Sequence, residues 1–475
     1  MLTQNKQRPL ELNEDRLFSS DPVQREISRE LYAEVKDLPI ISPHGHTDPT
    51  WFSANEKFGN PTELFLAPDH YIYRMLFSQG VSLEKLGVPS RSGKPDTDPL
   101  EAWRLFADHY YLFRGTPTRM WLDHVFAKVF GIDVRLDRGT ADHYYEVINT
   151  ALQTEDYRPR ALFDRFNIEA IATTEGPLDS LEPHQIIQAS DWDGKVISAY
   201  RPDNVVDPEH EGFVDSLKAF GELTGEDTMS WKGYLQAHRK RREDFIAVGT
   251  TSSDHGHPTA RTADLSDADA EALFDVVKAG KASAEQAELF RAQMLTEMAR
   301  MSLDDGLVLQ IHPGARRNHN QALFESHGRD KGADVPSQTE YVQALKPLLN
   351  KFGNDPRLSM IVFTLDETTY SRELAPLAGH YPAMKLGPAW WFHDSPEGMR
   401  RFREMTTETA GFYNTVGFND DTRAFLSIPA RHDVARRVDC AFLARLVAEH
   451  RLQIDEAHEV VVDLAYNLAK RAYKL

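Results

Sequence analysis

Cysteine is nearly absent. Cys440 is the only one in 475 residues, which excludes an intrachain disulfide and a cysteine-built metal cage. Any metal here must be held by His, Asp or Glu. No window approaches the roughly 18 uninterrupted apolar residues that a membrane span needs. The first residues, Met1-Leu2-Thr3-Gln4-Asn5-Lys6, lack an apolar leader, so the expected location is the cytoplasm. Positive charge is also short: 54 Lys and Arg against 73 Asp and Glu give a net charge of −19. Such a surface repels nucleic acid and anionic membranes in bulk, so neither is expected as a partner. The one basic run, Arg239-Lys240-Arg241-Arg242, reads as a solvated helix face. An anionic substrate would therefore need locally placed arginines.

What the chain does contain is an ordinary globular composition, 41% hydrophobic and 27% charged. Its length suggests about three domains, although α/β barrels exceed that rule as single units. Eight short apolar or β-branched runs recur, each breaking into polar residues at its C-terminal end: 40–42, 170–174, 196–200, 246–250, 307–311, 360–364, 383–387 and 414–418. Helical patterns fill most gaps. One runs from Ser283 to Met301 behind a capping box of Ser283 and Gln286, and another from Arg436 to His450. Eight strands alternating with helices predict an α/β fold, a (βα)8 TIM-type barrel, with its chemistry at the C-terminal strand ends.

The gap between the first two strands is too long for a loop. About 120 residues, Thr47 to Asn167, hold aromatic-rich helical segments and no clear strand. The expected organisation is an N-terminal segment with strand 1 (1–46), a helical insertion subdomain (47–167), and the rest of the barrel with C-terminal helices (168–475). Placed over the barrel mouth, the insertion would bring Asp69, His70, Tyr71 and Arg74 to the site from above.

The first strand ends in Pro43-His44-Gly45-His46. At i, i+2 in a strand both imidazoles leave one face, about 7 Å apart at the backbone, and can converge on one divalent ion. Alone, His-x-His is a common loop sequence. His312 after the fifth run and Asp421 after the eighth supply further candidate ligands, although a His before Pro-Gly and an Asp in Asn-Asp-Asp-Thr also serve as turn residues. Their joint placement at strand ends favours a catalytic metal site. Arg201 and Arg423 follow the third and eighth runs, where a guanidinium would either capture a substrate carboxylate or pair with a structural acid. The fourth run offers no bridging Lys or Glu, and the sixth ends in Asp366 without a histidine. That points to one metal ion and away from the binuclear hydrolase pattern.

These motifs, in this order, resemble the uronate isomerases (glucuronate isomerases), a branch of the amidohydrolase superfamily. The resemblance rests on Pro43-His44-Gly45-His46, Asp69-His70-Tyr71 with Arg74, Gly115-Thr116-Pro117 with Trp121, and Arg201-Pro202-Asp203. It continues through Ser253-Asp254-His255-Gly256, Gln310-Ile311-His312-Pro313-Gly314 with Arg317-Asn318, Trp390-Trp391-Phe392, Asp421-Thr422-Arg423 and Arg431-His432. The chain departs from the family at Thr174-Glu175-Gly176, at Asp420 and Thr422 around Asp421, and at Val434-Ala435.

The resemblance implies interconversion of D-glucuronate with D-fructuronate and of D-galacturonate with D-tagaturonate. Such a reaction moves a proton from C2 to C1 through an enediolate. Asp421 is the leading base, with Arg423 beside it, and Tyr71 with His70 the second proton carrier. His44, His46, His312 and Asp421 would hold one divalent ion, Zn²⁺ by preference, with Mn²⁺ or Fe²⁺ as alternatives. Arg201 and Arg74 would bind the uronate, and Trp390 or Trp391 would wall the sugar, a role that core packing rivals equally. The expected partner is a small hexuronate, with homo-oligomerisation left open. A metal-dependent hydrolase on the same barrel and a non-catalytic sugar-acid binder are the rival readings.

Overall fold

β-Branched and apolar residues on both faces, with helices between, are the pattern of a parallel sheet covered on each side. The computed structural model, which describes residues 8–475, contains that sheet. Its strands are β1 (Ile40–Ser42), β2 (Ile168–Glu175), β3 (Lys195–Tyr200), β4 (Ser252–His255), β5 (Val308–Ile311), β6 (Met360–Val362) and β7 (Met384–Leu386). They pair in sequence order and always in parallel, from Ile40 opposite Ile168 at one edge to Met360 opposite Met384 at the other. The curled sheet and its helices form the TIM-type barrel expected from the alternation of elements.

Two strands differ from expectation. Ile246 and Ala247, expected to start the fourth strand, complete the helix Trp231–Ala247, and Gly249 in the left-handed region turns the chain. The strand proper is the polar Ser252-Ser253-Asp254-His255, every residue of which is buried. At the eighth position, 414–418 makes one parallel bridge, Leu386 to Thr415, and no regular ladder. Gly417 (φ 76°) bends the run there, close beneath the Leu464 carbonyl. Side chains and single backbone bonds close the barrel instead. Ser42 Oγ donates to Asp420 Oδ1 at 3.1 Å, and the His46 N–H donates to the Thr422 carbonyl at 3.0 Å.

The helix expected from Ser283 spans Ala284–Asp305 with the capping box intact, and ends at left-handed Gly306. The helix expected from Arg436 begins earlier and spans Ile428–Ala448, so Arg431 and His432 ride on its first turns. The basic run is a solvated face only in part, with Lys240 exposed and Arg239 half-buried. Arg242 is fully buried and paired with Asp305 at 2.6 Å, and Arg241 is buried against the Pro177 and Asp179 carbonyls. Burying those guanidiniums is tolerable only because each has acceptors.

Between β1 and β2 every regular element is helical. Asp48, Asp69 and Asp98 cap three of these helices, each accepting backbone N–H groups that would otherwise lack a partner. Trp103, Phe106, Tyr110, Phe126 and Tyr144 fill their shared core. That core runs on into Ile40, Ile168 and Ile171 of the barrel wall.

The barrel interior transmits packing to the site at Gly387. A Cβ there would fall 2.3 Å from the Phe363 ring, which itself stacks on His312 with centroids 3.9 Å apart. Gly387→Ala should cost about 1–3 kcal/mol of stability by overpacking, read as a lower urea midpoint with an unchanged m-value. A wild-type midpoint would show that Phe363 has room to move.

Candidate active site

At the C-terminal ends of the strands lies a cavity of about 820 Å³. β1 ends at Ser42, short of the histidines, so the irregular backbone just past it, and not a strand as expected, delivers His44 and His46, whose ring centroids are 5.4 Å apart, and the segment after 418 delivers Asp421. Asp421 Oδ1 is 3.6 Å from His44 Nε2 and 3.2 Å from His46 Nε2. These three ligand atoms lie within 4.8 Å of one another. His312 joins a second, overlapping group with His44 and Asp254 rather than the first. Its Nδ1 donates to Asp254 Oδ1 at 2.6 Å, which leaves Nε2 buried with no partner. Asp421 Oδ1 is likewise buried without a well-aligned donor. Converging imidazole nitrogens and a carboxylate, with orphaned acceptors among them, fit a divalent cation.

Asp421 is held under strain, at φ 36°, in the left-handed region that non-glycine residues rarely adopt. Its neighbours enforce this. Asp420 accepts from Ser42 Oγ and lies 3.0 Å from His432 Nε2, while Arg431 Nη1 donates to the Asp420 carbonyl at 3.3 Å. Trp390 Nε1 donates to Asp421 Oδ2, and the Trp390 ring packs edge-on against His312 with centroids 4.7 Å apart. Burial pushes the Asp421 carboxyl up. The approach of His46 and the charges of the surrounding imidazoles outweigh it and hold the group well below the usual carboxylate range.

The insertion delivers its groups from the first turn of the helix His70–Phe77, where Asp69 accepts from the Tyr71 N–H at 2.8 Å. Both His70 and Tyr71 line the cavity. Burial pushes the Tyr71 phenol up, so it stays protonated, and its hydroxyl reaches the Trp391 carbonyl at 3.4 Å. Burial, with Arg423 nearby, pushes His70 down to about 3, so its imidazole is neutral. Trp391 (φ 51°) is a second strained residue, with the Arg317 guanidinium 5.1 Å from its ring centroid. Arg423 lines the cavity and pairs with Asp330 at 3.2 Å.

Two arginines sit differently from expectation. Arg74 does not line the cavity; its guanidinium lies over Phe392 at 5.0 Å, and its stem packs beneath Gly332. Arg201 does line it but is already paired, with Asp203 at 2.9 Å and with Asp254 at 3.0 Å. Its position behind Asp254 extends the chain of contacts His312–Asp254–Arg201. Sequence reasoning gave no role to Asp254, Asp420 or Asp330, nor to Arg317 beyond the motif that contains it. Asp254 appeared only within the motif Ser253-Asp254-His255-Gly256, beyond a fourth strand expected at 246–250, whereas it lies inside the actual strand. Arg317 and Asp330 lie between the two arms of a short antiparallel ribbon, Ala315–Arg316 with Val335–Pro336, too short to show any alternation.

Two outcomes follow from this geometry. Asp254→Asn keeps an acceptor for His312 but removes the charge, and should weaken divalent-ion binding about 10–100-fold in a chelator competition; unchanged affinity would sever Asp254 from the metal site. Glu175, at the end of β2, faces Ser198 and Thr173 rather than the cavity, and burial raises its carboxyl to about 7. The folded state then holds a proton that the unfolded state has lost, so stability falls as pH rises from the ordinary glutamate value toward 7. Glu175→Gln should remove that fall, gaining on the order of 2–3 kcal/mol over wild type between pH 5 and pH 8. A difference independent of pH would contradict it.

A family model described as glucuronate isomerase matches residues 16–473. A uronate isomerase from Caulobacter vibrioides is 69% identical over 468 residues, covering 98% of this chain and 96% of that one. The crystal structure of glucuronate isomerase from Caulobacter crescentus superposes with a TM-score of 0.98 at 68% identity, covering 98% of each chain. A uronate isomerase from Thermotoga maritima does so at 0.91 and 28% identity, over 98% of this chain and 99% of that one. A barrel whose mouth gathers two strand-end histidines, a strained aspartate and a tyrosine from a helical insertion is thus matched along its whole length, and the chain belongs to the glucuronate isomerase family.

Proposed function

We propose that the protein is an aldose–ketose isomerase of hexuronates (EC 5.3.1.12), acting in hexuronate catabolism. It converts D-glucuronate to D-fructuronate and D-galacturonate to D-tagaturonate. The observation that carries this reading is the placement of ionised Asp421 and protonated Tyr71 on one cavity with Arg423 between β-strand ends and insertion. Aldose–ketose conversion needs one group that accepts a proton and one that returns it, which that pair supplies.

Asp421 takes the anomeric hydroxyl proton and passes it to the ring oxygen as the sugar opens; ionised again, it is the leading base for the C2 proton. The electron pair left at C2 forms the enediolate, C1 receives a proton, and the hydroxyl proton at O2 passes to O1. The aldehyde carbon is thereby reduced and C2 oxidised, with no external electron donor. Tyr71 serves as the second proton carrier, with neutral His70 stacked beside it at 4.6 Å between centroids. Arg423 holds the uronate carboxylate, Trp391 walls the sugar, and Trp390 orients Asp421 through its indole N–H. Arg201 acts on the substrate only if it exchanges an aspartate for it. A divalent ion bound by His44, His46 and Asp421, with His312 beside them, would supply Lewis-acid polarisation of substrate oxygens. Zn²⁺ is the proposed ion, and Mn²⁺ or Fe²⁺ would suit the same donors. Residues 47–167 act as a helical subdomain that roofs the barrel mouth and contributes Tyr71 and His70.

Purified protein incubated with D-glucuronate or D-galacturonate should form the ketouronate, followed by NMR. Asp421→Asn should lower kcat by about 10²–10⁴-fold and leave saturable substrate binding. Ester or amide hydrolysis without ketose formation would replace this reading with the hydrolase. Binding without turnover in the wild type would replace it with the sugar-acid binder.

A further inference from the structure

Outside the barrel mouth, one recess concentrates positive charge on a chain whose net charge is −19. It measures about 350 Å³ and shares no lining residue with the active-site cavity. Three parts of the chain build it. The N-terminal segment lies against 133–135, with the Arg135 N–H donating to the Arg8 carbonyl at 2.8 Å, and so brings Arg8 beside Arg135 and Arg138. The end of the helix Pro99–His109 and the turn after it supply Asp108, Tyr111 and Arg114. The helix Pro117–His124 supplies Arg119. Five arginines thus face two carboxylates, Asp108 and Asp137.

The available partners do not balance them. Arg119 pairs with Asp123 at 2.7 Å and stacks over Tyr110, and Arg8 approaches Asp137 only to 3.7 Å. Arg135 spends its Nε on the Pro9 carbonyl at 2.9 Å, leaving its terminal nitrogens free for another acceptor. Arg114 and Arg138 have no side-chain partner among the described residues. Guanidiniums gathered in a recess repel one another, and a recess focuses their field more than a convex surface does. The ligand that relieves this is an oxyanion, because the planar fork of arginine matches phosphate and carboxylate oxygens two at a time.

We propose that this recess on the helical insertion binds a small, multiply charged oxyanion, one carrying phosphates or closely spaced carboxylates. Tyr111, 51% exposed, gives the ligand's carbon skeleton a flat face beside the charges. The proposal does not depend on the isomerase reading, since none of these residues touches the barrel mouth.

The test is calorimetric titration of the full chain at low salt with two probes, inorganic pyrophosphate and trigalacturonate. Binding of either should weaken at least tenfold in Arg114→Ala/Arg138→Ala, and further in the Glu/Glu double variant, with isomerase kcat/KM unchanged. Loss of pyrophosphate binding assigns phosphates, and loss of trigalacturonate binding assigns carboxylates. Trigalacturonate bound at the barrel mouth would be insensitive to these substitutions. Absence of binding by both probes, or binding that the double variants leave intact, overturns the proposal. So does a change in sedimentation coefficient without a change in anion affinity, which would make the recess a contact between copies of the chain.

Discussion

The buried carboxylate of Asp420 is the contact on which the rest of this site depends. The barrel has seven laddered strands and an eighth position held by a single bridge, so its closure is not secured by backbone pairing. Asp420 makes up the deficit: one oxygen takes the Ser42 hydroxyl of β1, and the other lies against His432 of the long C-terminal helix. A fully buried carboxylate is costly unless its oxygens find donors. Here satisfying them also joins the first and last parts of the barrel. With Asp420 fixed and Arg431 bonded to its carbonyl, the next residue has little choice of backbone, and Asp421 is turned toward His44 and His46 at a strained φ.

The same economy recurs one layer out. His312 is aimed by Asp254, Asp254 is held ionised by Arg201, and Arg201 is steadied by Asp203. Burial alone would raise Asp254; the opposing guanidinium and imidazoles pull it well below the usual range. Arg423 pairs with Asp330 at 3.2 Å, and Arg317 pairs with Asp334 at 2.9 Å and approaches Asp330 at 3.8 Å, so both cations in the mouth have acids beside them. Arg201, Arg317 and Arg423 thus face the cavity already paired with acids, which fixes their direction.

Much of this architecture is legible in the sequence, for physical reasons that also explain the exceptions. Strands 1, 2, 3, 5, 6 and 7 are largely buried and read as apolar runs, with the few buried polar residues among them, such as Ser42, Thr173 and Ser198, hydrogen-bonded to neighbouring side chains. β4 defeats that rule: its residues are polar and buried because Asp254 points at His312, so function rather than hydrophobicity wrote the sequence. The adjoining Ile246-Ala247 looks more like a strand but belongs to the end of a long helix capped by Ser230. The eighth run kept its β-branched residues and lost its ladder to Gly417.

By itself the sequence determined the periodic alternation, the all-oxygen-and-nitrogen donor set that a single cysteine enforces, and the His-x-His pair, although the pair stands in irregular backbone just past the end of β1 at Ser42, where strand spacing alone does not aim it. Tertiary structure decided the partners. Whether an arginine binds substrate or an aspartate depends on which carboxylate lies within a few ångströms. Arg201 and Arg74, similar on paper, ended against Asp254 and Phe392. It also decided that Asp421, and not its neighbour Asp420, reaches the histidines. Two adjacent aspartates carry the same chemistry, and only the closure of the barrel distinguishes the one that clamps from the one that is presented.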